Sequence, residues 1–120
     1  MMNEISGILS VIKPLDWTSM EVVRRIKRLT NQKKVGHAGT LDPQATGVLP
    51  VCIGQATRVM EYLVDSPKVY VALVHFGVET DSYDAMGQIT ETKDSTYVTE
   101  NDVTTALKKY CGIFDQVPPM

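Results

Sequence analysis

The chain has 120 residues, of which 43% are hydrophobic and 22% charged, and its formal net charge is −2. These values are typical of one globular domain and exclude the disordered and fibrous classes. The longest apolar runs are far shorter than the roughly 20 residues of a membrane-spanning helix, and the first residues lack a secretory signal pattern. We therefore expect a soluble cytoplasmic protein without a transmembrane segment.

Charge is distributed unevenly along the chain. Residues 1–60 carry eight Lys or Arg and four Asp or Glu, whereas residues 61–120 carry four and ten. Lys and Arg side chains that neutralise phosphates supply most nucleic-acid affinity. Clusters of basic residues are common on the solvated faces of soluble helices, so charge alone favours that interpretation. The basic half contains Arg24, Arg25, Lys27, Arg28, Lys33 and Lys34.

The first two predicted elements are a strand and an amphipathic helix. Residues 7–13 are rich in apolar side chains and are followed by Pro14, which lacks a backbone donor, so a strand is predicted there. Thr18 and Glu21 have the spacing of a capping box at a helix start. The helix is predicted to run to about Leu29, with basic residues opposite its apolar face. That apolar face is formed by Val22, Val23, Ile26 and Leu29.

The middle of the chain combines a loop with strand and helix patterns. The segment Gly36–Gly47 contains three glycines and one proline, which predicts a loop rather than a regular element. Residues 48–53 predict a buried strand, and residues 55–64 predict a helix. Residues 68–76, rich in Val and aromatic side chains, give the strongest strand prediction of the chain.

The last part of the sequence predicts turns, a strand and a helix. Residues 77–87 predict turns, and residues 88–92 predict a strand placed to form a hairpin with residues 68–76. Thr99 and Asp102 repeat the capping-box pattern at the start of a last helix. No internal repeat or flexible linker divides the chain. The predicted fold class is therefore α+β, with a mixed β-sheet and flanking helices in one unit.

The cysteine and histidine positions indicate neither a disulfide framework nor a metal site, because none stands at ligand spacing. Cys52 lies in an apolar segment and Cys111 near a helix end, and both are predicted to be small buried side chains. The Gly36–Gly47 loop also lacks the glycine patterns of nucleotide-binding loops and the nucleophile elbow of hydrolases.

Asp42 and His37 are candidate functional residues of this loop, since loops held on a scaffold are where functional side chains concentrate. Ordinary structural roles compete with that interpretation. Asp-Pro is a common turn former, and a loop imidazole often bonds a nearby carbonyl. A strand tyrosine such as Tyr70 usually packs on a sheet face. From the residues alone, these structural roles are favoured.

Residues 34–50, Lys-Val-Gly-His-Ala-Gly-Thr-Leu-Asp-Pro-Gln-Ala-Thr-Gly-Val-Leu-Pro, closely resemble the signature of the bacterial tRNA pseudouridine synthase B family. A contiguous match that includes Gly-Thr-Leu-Asp-Pro is far more specific than an isolated glycine pattern. The resemblance covers essentially the whole chain. It continues in Gly7, Lys13-Pro14, Thr18-Ser19, residues 54–58, residues 68–70 and residues 77–87.

Enzymes of that family convert the uridine at position 55, in the T arm of tRNA, to pseudouridine without a cofactor or metal. The resemblance implies that Asp42 is the catalytic carboxylate. It leaves open whether Asp42 attacks C1′, adds to the base or takes a proton from C2′. It also implies that His37 contacts the substrate where the target nucleotide is flipped out. Tyr70 is expected to stack on the target base.

Further residues are expected to support the site or to contact RNA, although no motif singles out the basic ones individually. Supporting roles are expected for Lys13, Gly39 and Thr40, and phosphate contacts for Arg24, Arg25, Lys33 and Lys34. In the family the chain continues with the arginine that pairs with the catalytic aspartate and with a C-terminal RNA-binding domain. Residues 1–120 are therefore expected to form the N-terminal part of the catalytic domain.

Three alternative functions stay open at this point. One is a non-catalytic RNA-binding fragment, in which the loop shapes a groove and Asp42 does no chemistry. Another is a relative that works with guide RNA, because such relatives share the aspartate loop. The last is a purely structural or protein-binding domain, which predicts no salt-sensitive affinity for tRNA. The sequence does not predict an oligomeric state.

Overall fold

The computed structural model describes residues 5–118. Where the sequence favoured one unit, the chain divides into two compact units, Met1–Val69 and Tyr70–Met120. Every buried side chain of the described part belongs to the first unit. The hydrophobic core therefore lies in the unit that carries Asp42.

The first unit is a three-stranded antiparallel sheet with a helix packed on one face. β3 is central and pairs antiparallel with both of its neighbours, in the order β1-β3-β2. A 3₁₀ turn, Gly54–Val59, leads from β3 into the short helix α2. The elements are β1 (Gly7–Lys13), α1 (Ser19–Thr30), β2 (Val35–His37), β3 (Gly47–Ile53) and α2 (Met60–Val64).

The core forms where one face of β3 meets α1. Leu49, Val51 and Ile53 are at most 2% exposed, because alternate side chains of a strand point to the same face. They pack with Val22 and Val23 of α1. This packing fixes α1 relative to the sheet, and with it the first turn of the helix.

Helix α1 begins at the predicted capping box. The Thr18 hydroxyl accepts a bond from the Glu21 N–H, and the Glu21 carboxylate accepts one from the Thr18 N–H. Ile26 packs partly against the core as predicted. Leu29 is 67% exposed, because it lies in the last turn of α1, beyond the residues that pack on the sheet. The apolar face that α1 packs on the core is therefore shorter than predicted.

The second unit contains a two-stranded sheet and a helix. β4 (Val78–Thr80) pairs antiparallel with β5 (Ile89–Thr92), with a register shift between Glu79 and Thr80. Helix α3 (Glu100–Leu107) begins at the predicted capping box of Thr99 and Asp102, and a 3₁₀ turn, Lys108–Tyr110, follows it.

The α+β fold class is confirmed. Each strand pair between residues 5 and 118 is antiparallel, so the mixed sheet that was expected is observed as two antiparallel sheets. No helix in this range is long and apolar enough to cross a membrane.

Three local predictions are wrong. Residues 68–76 form no strand within the described chain, because a strand also needs a partner for its backbone groups. The expected partner, β5, pairs with β4 instead. The Gly36–Gly47 segment is not entirely loop, since it contains two residues of β2. Cys52 is buried but Cys111 is exposed, because Cys111 belongs to the unit without buried side chains.

Candidate active site

Asp42 lies in the loop between β2 and β3. Its backbone carbonyl accepts a hydrogen bond from the Ala45 N–H at 3.0 Å. This bond closes a turn with Pro43 in the second position, where the fixed φ of proline fits. The Asp42 side chain is exposed, and among residues 5–118 no hydrogen bond or ion pair engages its carboxylate. The predicted turn is therefore present, and it leaves the carboxylate accessible to a ligand.

The residue before Asp42 is held by the first turn of α1. The Leu41 N–H donates to Ser19 Oγ at 2.9 Å, and the Ser19 hydroxyl lies 3.2 Å from the Leu41 carbonyl oxygen, to which it donates. Ser19 is 3% exposed. The Leu41 side chain packs against the hydrophobic core. Backbone and side chain of Leu41 are thus both attached to the rigid part of the unit.

The residue after Asp42 is held by the segment between β1 and α1. The Pro43 carbonyl accepts the backbone N–H of Asp16 at 2.8 Å and Lys13 Nζ at 3.1 Å. Lys13 Nζ also donates to the carbonyls of Pro14, at 2.9 Å, and Trp17, at 2.6 Å. Lys13 is fully buried, and its three N–H donors match these three acceptors. These contacts support the architectural role expected for Lys13.

His37 is the last residue of β2 and lies opposite Val51 of β3. Its Nδ1 is 3.3 Å from the carbonyl oxygen of Gly39. A carbonyl only accepts, so Nδ1 carries the proton in this bond and Nε2 is left as an acceptor in the neutral ring. The bond to a nearby carbonyl, favoured from the residues alone, is therefore present. It ties the imidazole to the loop that carries Asp42.

Two glycines of this segment allow close packing. Gly39 has φ +85°, and a Cβ there would lie 2.8 Å from Lys68 Cε. The positive φ favours glycine at this position, whereas the flexible end of Lys68 could move aside. Gly36 in β2 faces Met60, since a Cβ at Gly36 would lie 2.7 Å from its sulfur. Thr40, between Gly39 and Leu41, is exposed.

The basic candidates are exposed and belong to the same unit as Asp42. Two of them lie on α1 and two lie between α1 and β2. Tyr70 is the first residue of the second unit and is 56% exposed. The first unit thus contains all of the candidate site residues except Tyr70. The basic candidates are Arg24, Arg25, Lys33 and Lys34.

Three residues of this arrangement were given no role at the site from the sequence, although Ser19 and Lys68 lie in segments that carry the resemblance. Ser19 carries a weak signal, because the capping box needs only the Thr18 hydroxyl and leaves a second hydroxyl unexplained. Asp16 acts through its backbone N–H, so its side chain gives no signal. The end of the Lys68 side chain lies next to Gly39, and its Nζ donates to the Val64 carbonyl at 3.0 Å.

Between residues 5 and 118, no three His, Cys, Asp or Glu side chains cluster to hold a metal ion.

The sequence is similar to a known family and to individual members of it. Residues 27–120 match the family described as TruB family pseudouridylate synthase (N terminal domain). The tRNA pseudouridine synthase B of Symbiobacterium thermophilum is 46% identical over 98% of this chain and 40% of its own length. That of Dehalococcoides mccartyi is 48% identical over 97% of this chain and 39% of its own length. The chain thus spans about two-fifths of the length of these relatives.

Among solved structures, a chain of an H/ACA RNP bound to a substrate RNA containing 2'-deoxyuridine is also similar. It is 51% identical, with a TM-score of 0.46. The match covers 48% of this chain and 18% of that chain.

Proposed function

Because the chain belongs to the TruB family of pseudouridylate synthases, we propose that it forms the aspartate-bearing part of a tRNA-modifying enzyme. This enzyme isomerises uridine 55 in the T arm of tRNA to pseudouridine, with Asp42 as catalytic carboxylate. The observation that carries the proposal is that both neighbours of Asp42 are bonded to buried side chains, while its own carboxylate is exposed. A group that meets a substrate at a fixed position needs such support.

The reaction exchanges one bond for another within a single nucleotide. The N1–C1′ bond breaks, the base turns, and a C5–C1′ bond forms. C5 loses its proton and N1 gains one, so atoms and electrons balance without an oxidant or reductant. A carboxylate beside the ribose and the uracil serves here as nucleophile or base. The exposed carboxylate of Asp42 is the group of this kind that the loop presents.

The RNA must open for this chemistry, because the glycosidic bond of a stacked uridine is inaccessible. Flipping the nucleotide costs a few kcal/mol, which contacts with the protein offset. In our proposal, His37 contacts the opened T loop with its planar ring, and Tyr70 stacks on the target uracil. Phosphates are contacted by Arg24, Arg25, Lys33 and Lys34.

The first test is tritium release from tRNA labelled at uridine C5, with the chain in excess over the RNA. Asp42→Asn is expected to lower release by about 10³-fold or more, the upper range for one acid–base group. The affinity for tRNA is expected to be nearly unchanged, because the substitution keeps the turn and alters only one charge. The matched control is Asp65→Asn, an exposed aspartate in the same unit, which is expected to leave release intact.

Two other outcomes would contradict the proposal, and a third would limit what these residues do alone. If Asp42→Asn released tritium at the wild-type rate, Asp42 would not be catalytic. If neither protein released tritium while both bound tRNA, residues 1–120 alone would bind RNA without catalysing the reaction. If release required an added guide RNA, the chain would resemble the guide-dependent relatives, and the direct action on tRNA would be wrong.

A further inference from the structure

We infer that Ser19 is a positioning residue for Asp42, acting through the backbone of Leu41. The Ser19 hydroxyl uses both of its hydrogen-bonding capacities on this one residue, accepting from its N–H at 2.9 Å and donating to its carbonyl oxygen at 3.2 Å. The catalytic consequence rests on the proposed function of Asp42. The expected loosening of Leu41 when Ser19 loses its hydroxyl does not depend on that function.

Burial makes this pair of bonds difficult to replace. Ser19 is 3% exposed, so water has little access to the place of its hydroxyl. Without the hydroxyl, the N–H and the carbonyl of Leu41 both lose their partner, and leaving such groups unsatisfied is more costly than the bonds are favourable. The loop then relieves the cost by moving Leu41 away from α1.

A movement of Leu41 is transmitted directly to Asp42, its covalent neighbour. Ser19 is the first residue of α1, and α1 is fixed to the sheet by Val22 and Val23, which are 3% and 1% exposed. The bonds of Ser19 therefore set the distance between the helix and the residue that precedes the carboxylate. The bonds at Pro43 hold only the other side. A displacement of about 1 Å at a reacting group lowers a rate by about 100-fold.

Thr18 provides a matched control within the same turn. It is also a hydroxyl residue at the start of α1, but its hydroxyl bonds Glu21 in the capping box. Of the two neighbouring hydroxyls, that of Ser19 bonds the Asp42 loop and that of Thr18 bonds its own helix. General weakening of α1 is thus separable from the loss of the bonds to Leu41.

The experiment compares Ser19→Ala, Ser19→Thr and Thr18→Ala. The first readout is hydrogen exchange of the Leu41 amide by NMR on the chain without RNA. Ser19→Ala is expected to accelerate this exchange by about tenfold or more, the effect of losing one buried hydrogen bond. Ser19→Thr retains a hydroxyl and is expected to restore protection. Thr18→Ala is expected to leave the Leu41 amide protected.

The second readout is the rate of tritium release at saturating tRNA, with the dissociation constant measured separately. Ser19→Ala is expected to lower the rate by about 100-fold with an unchanged dissociation constant, and Ser19→Thr is expected to restore most of the rate. Thr18→Ala is expected to react like the wild type.

Unchanged exchange of the Leu41 amide in Ser19→Ala would overturn the inference. Equal losses of rate in Ser19→Ala and Thr18→Ala would also overturn it. A wild type without release would show that these residues alone do not catalyse the reaction, while the exchange measurement would still decide whether Ser19 holds the loop.

Discussion

At the scale of single residues, Lys13 shows how a basic side chain is accommodated in the core. Its amino group meets three carbonyl oxygens, from Pro14, Trp17 and Pro43, at 2.9, 2.6 and 3.1 Å. Two of these acceptors lie in the segment between β1 and α1, and the third follows Asp42. One side chain thus joins the start of the unit to the loop that carries the proposed catalytic group.

Lys13→Met tests this role, because methionine retains the length and apolar stem of lysine but has no donor. Three carbonyls lose a bond, and we expect the free energy of unfolding to fall by about 3 kcal/mol. Urea denaturation at constant pH measures the change. Lys27→Met, on the exposed side of α1, is the control and should change stability by less than about 0.5 kcal/mol. Equal effects of the two substitutions would exclude a special role for Lys13.

At the scale of elements, α1 combines two faces with different tasks. Its buried face packs on the sheet and fixes Ser19 beside the Asp42 loop, while its exposed face carries Arg24 and Arg25. Its first turn is closed by the capping box. The backbone N–H and the hydroxyl of Thr18, and to a smaller extent Arg24, hold the pKa of Glu21 below its ordinary value of 4.5.

This pKa predicts the pH dependence of the helix cap. A carboxyl whose pKa is lower in the folded than in the unfolded protein stabilises the fold above its unfolded pKa. Its contribution is lost as the pH falls through the lower pKa of the folded state.

The stability difference between wild type and Glu21→Gln is therefore expected to be constant near neutral pH and to shrink below about pH 4.5. Urea denaturation between pH 7 and pH 3 measures it. A pH-independent difference for Glu21→Gln would contradict the prediction.

The exposed face of α1 predicts a salt-dependent affinity for RNA. Replacing Arg24 and Arg25 by Gln removes two proposed phosphate contacts, and each lost contact is expected to reduce the slope of log affinity against log salt by about 1. Fluorescence anisotropy with a labelled T-arm stem-loop at several salt concentrations measures the slope. Replacing Lys108 and Lys109 by Gln makes the same charge change in the second unit and should leave the slope unchanged. Similar slopes for both double variants would show that α1 is not the phosphate-binding face.

The elements differ in how far their own residues specify them. β1, α1, β3 and α3 were predicted because their signals are local, such as Pro14 after a strand or Thr18 and Glu21 at a helix start. Residues 68–76 have a strong local preference for a strand, but Val71 and Leu73 are 101% and 84% exposed and no partner pairs with them among the described residues. The site contacts of Ser19 and Lys13 reach 22 and 30 residues along the chain, and no local pattern specifies such distances.

At the scale of the whole molecule, the two units differ in burial and in charge. The first unit contains every buried side chain of the described part, whereas the second contains none. Residues 1–69 carry nine Lys or Arg and six Asp or Glu, while residues 70–120 carry three and eight. The basic unit is therefore the one with both the core and the proposed phosphate contacts.

This difference predicts that the units unfold separately, since buried apolar surface is the main source of stability. Trp17 is the single tryptophan of the sequence and belongs to the first unit, so its fluorescence reports on that unit. In urea, the protection of the α3 amides against hydrogen exchange should be lost at a lower concentration than the native fluorescence of Trp17. Coincident transitions would show that the two units unfold as one cooperative body.

The contact between Gly36 and Met60 has a consequence for how this sequence can change during evolution. A Cβ at Gly36 would lie 2.7 Å from the sulfur of Met60, which is the far end of an unbranched and flexible side chain. Exchange of Gly36 for alanine should therefore be tolerated, because Met60 can turn aside. Position 36 is thus expected to accept a small side chain in descendants of this chain for as long as position 60 keeps a flexible one.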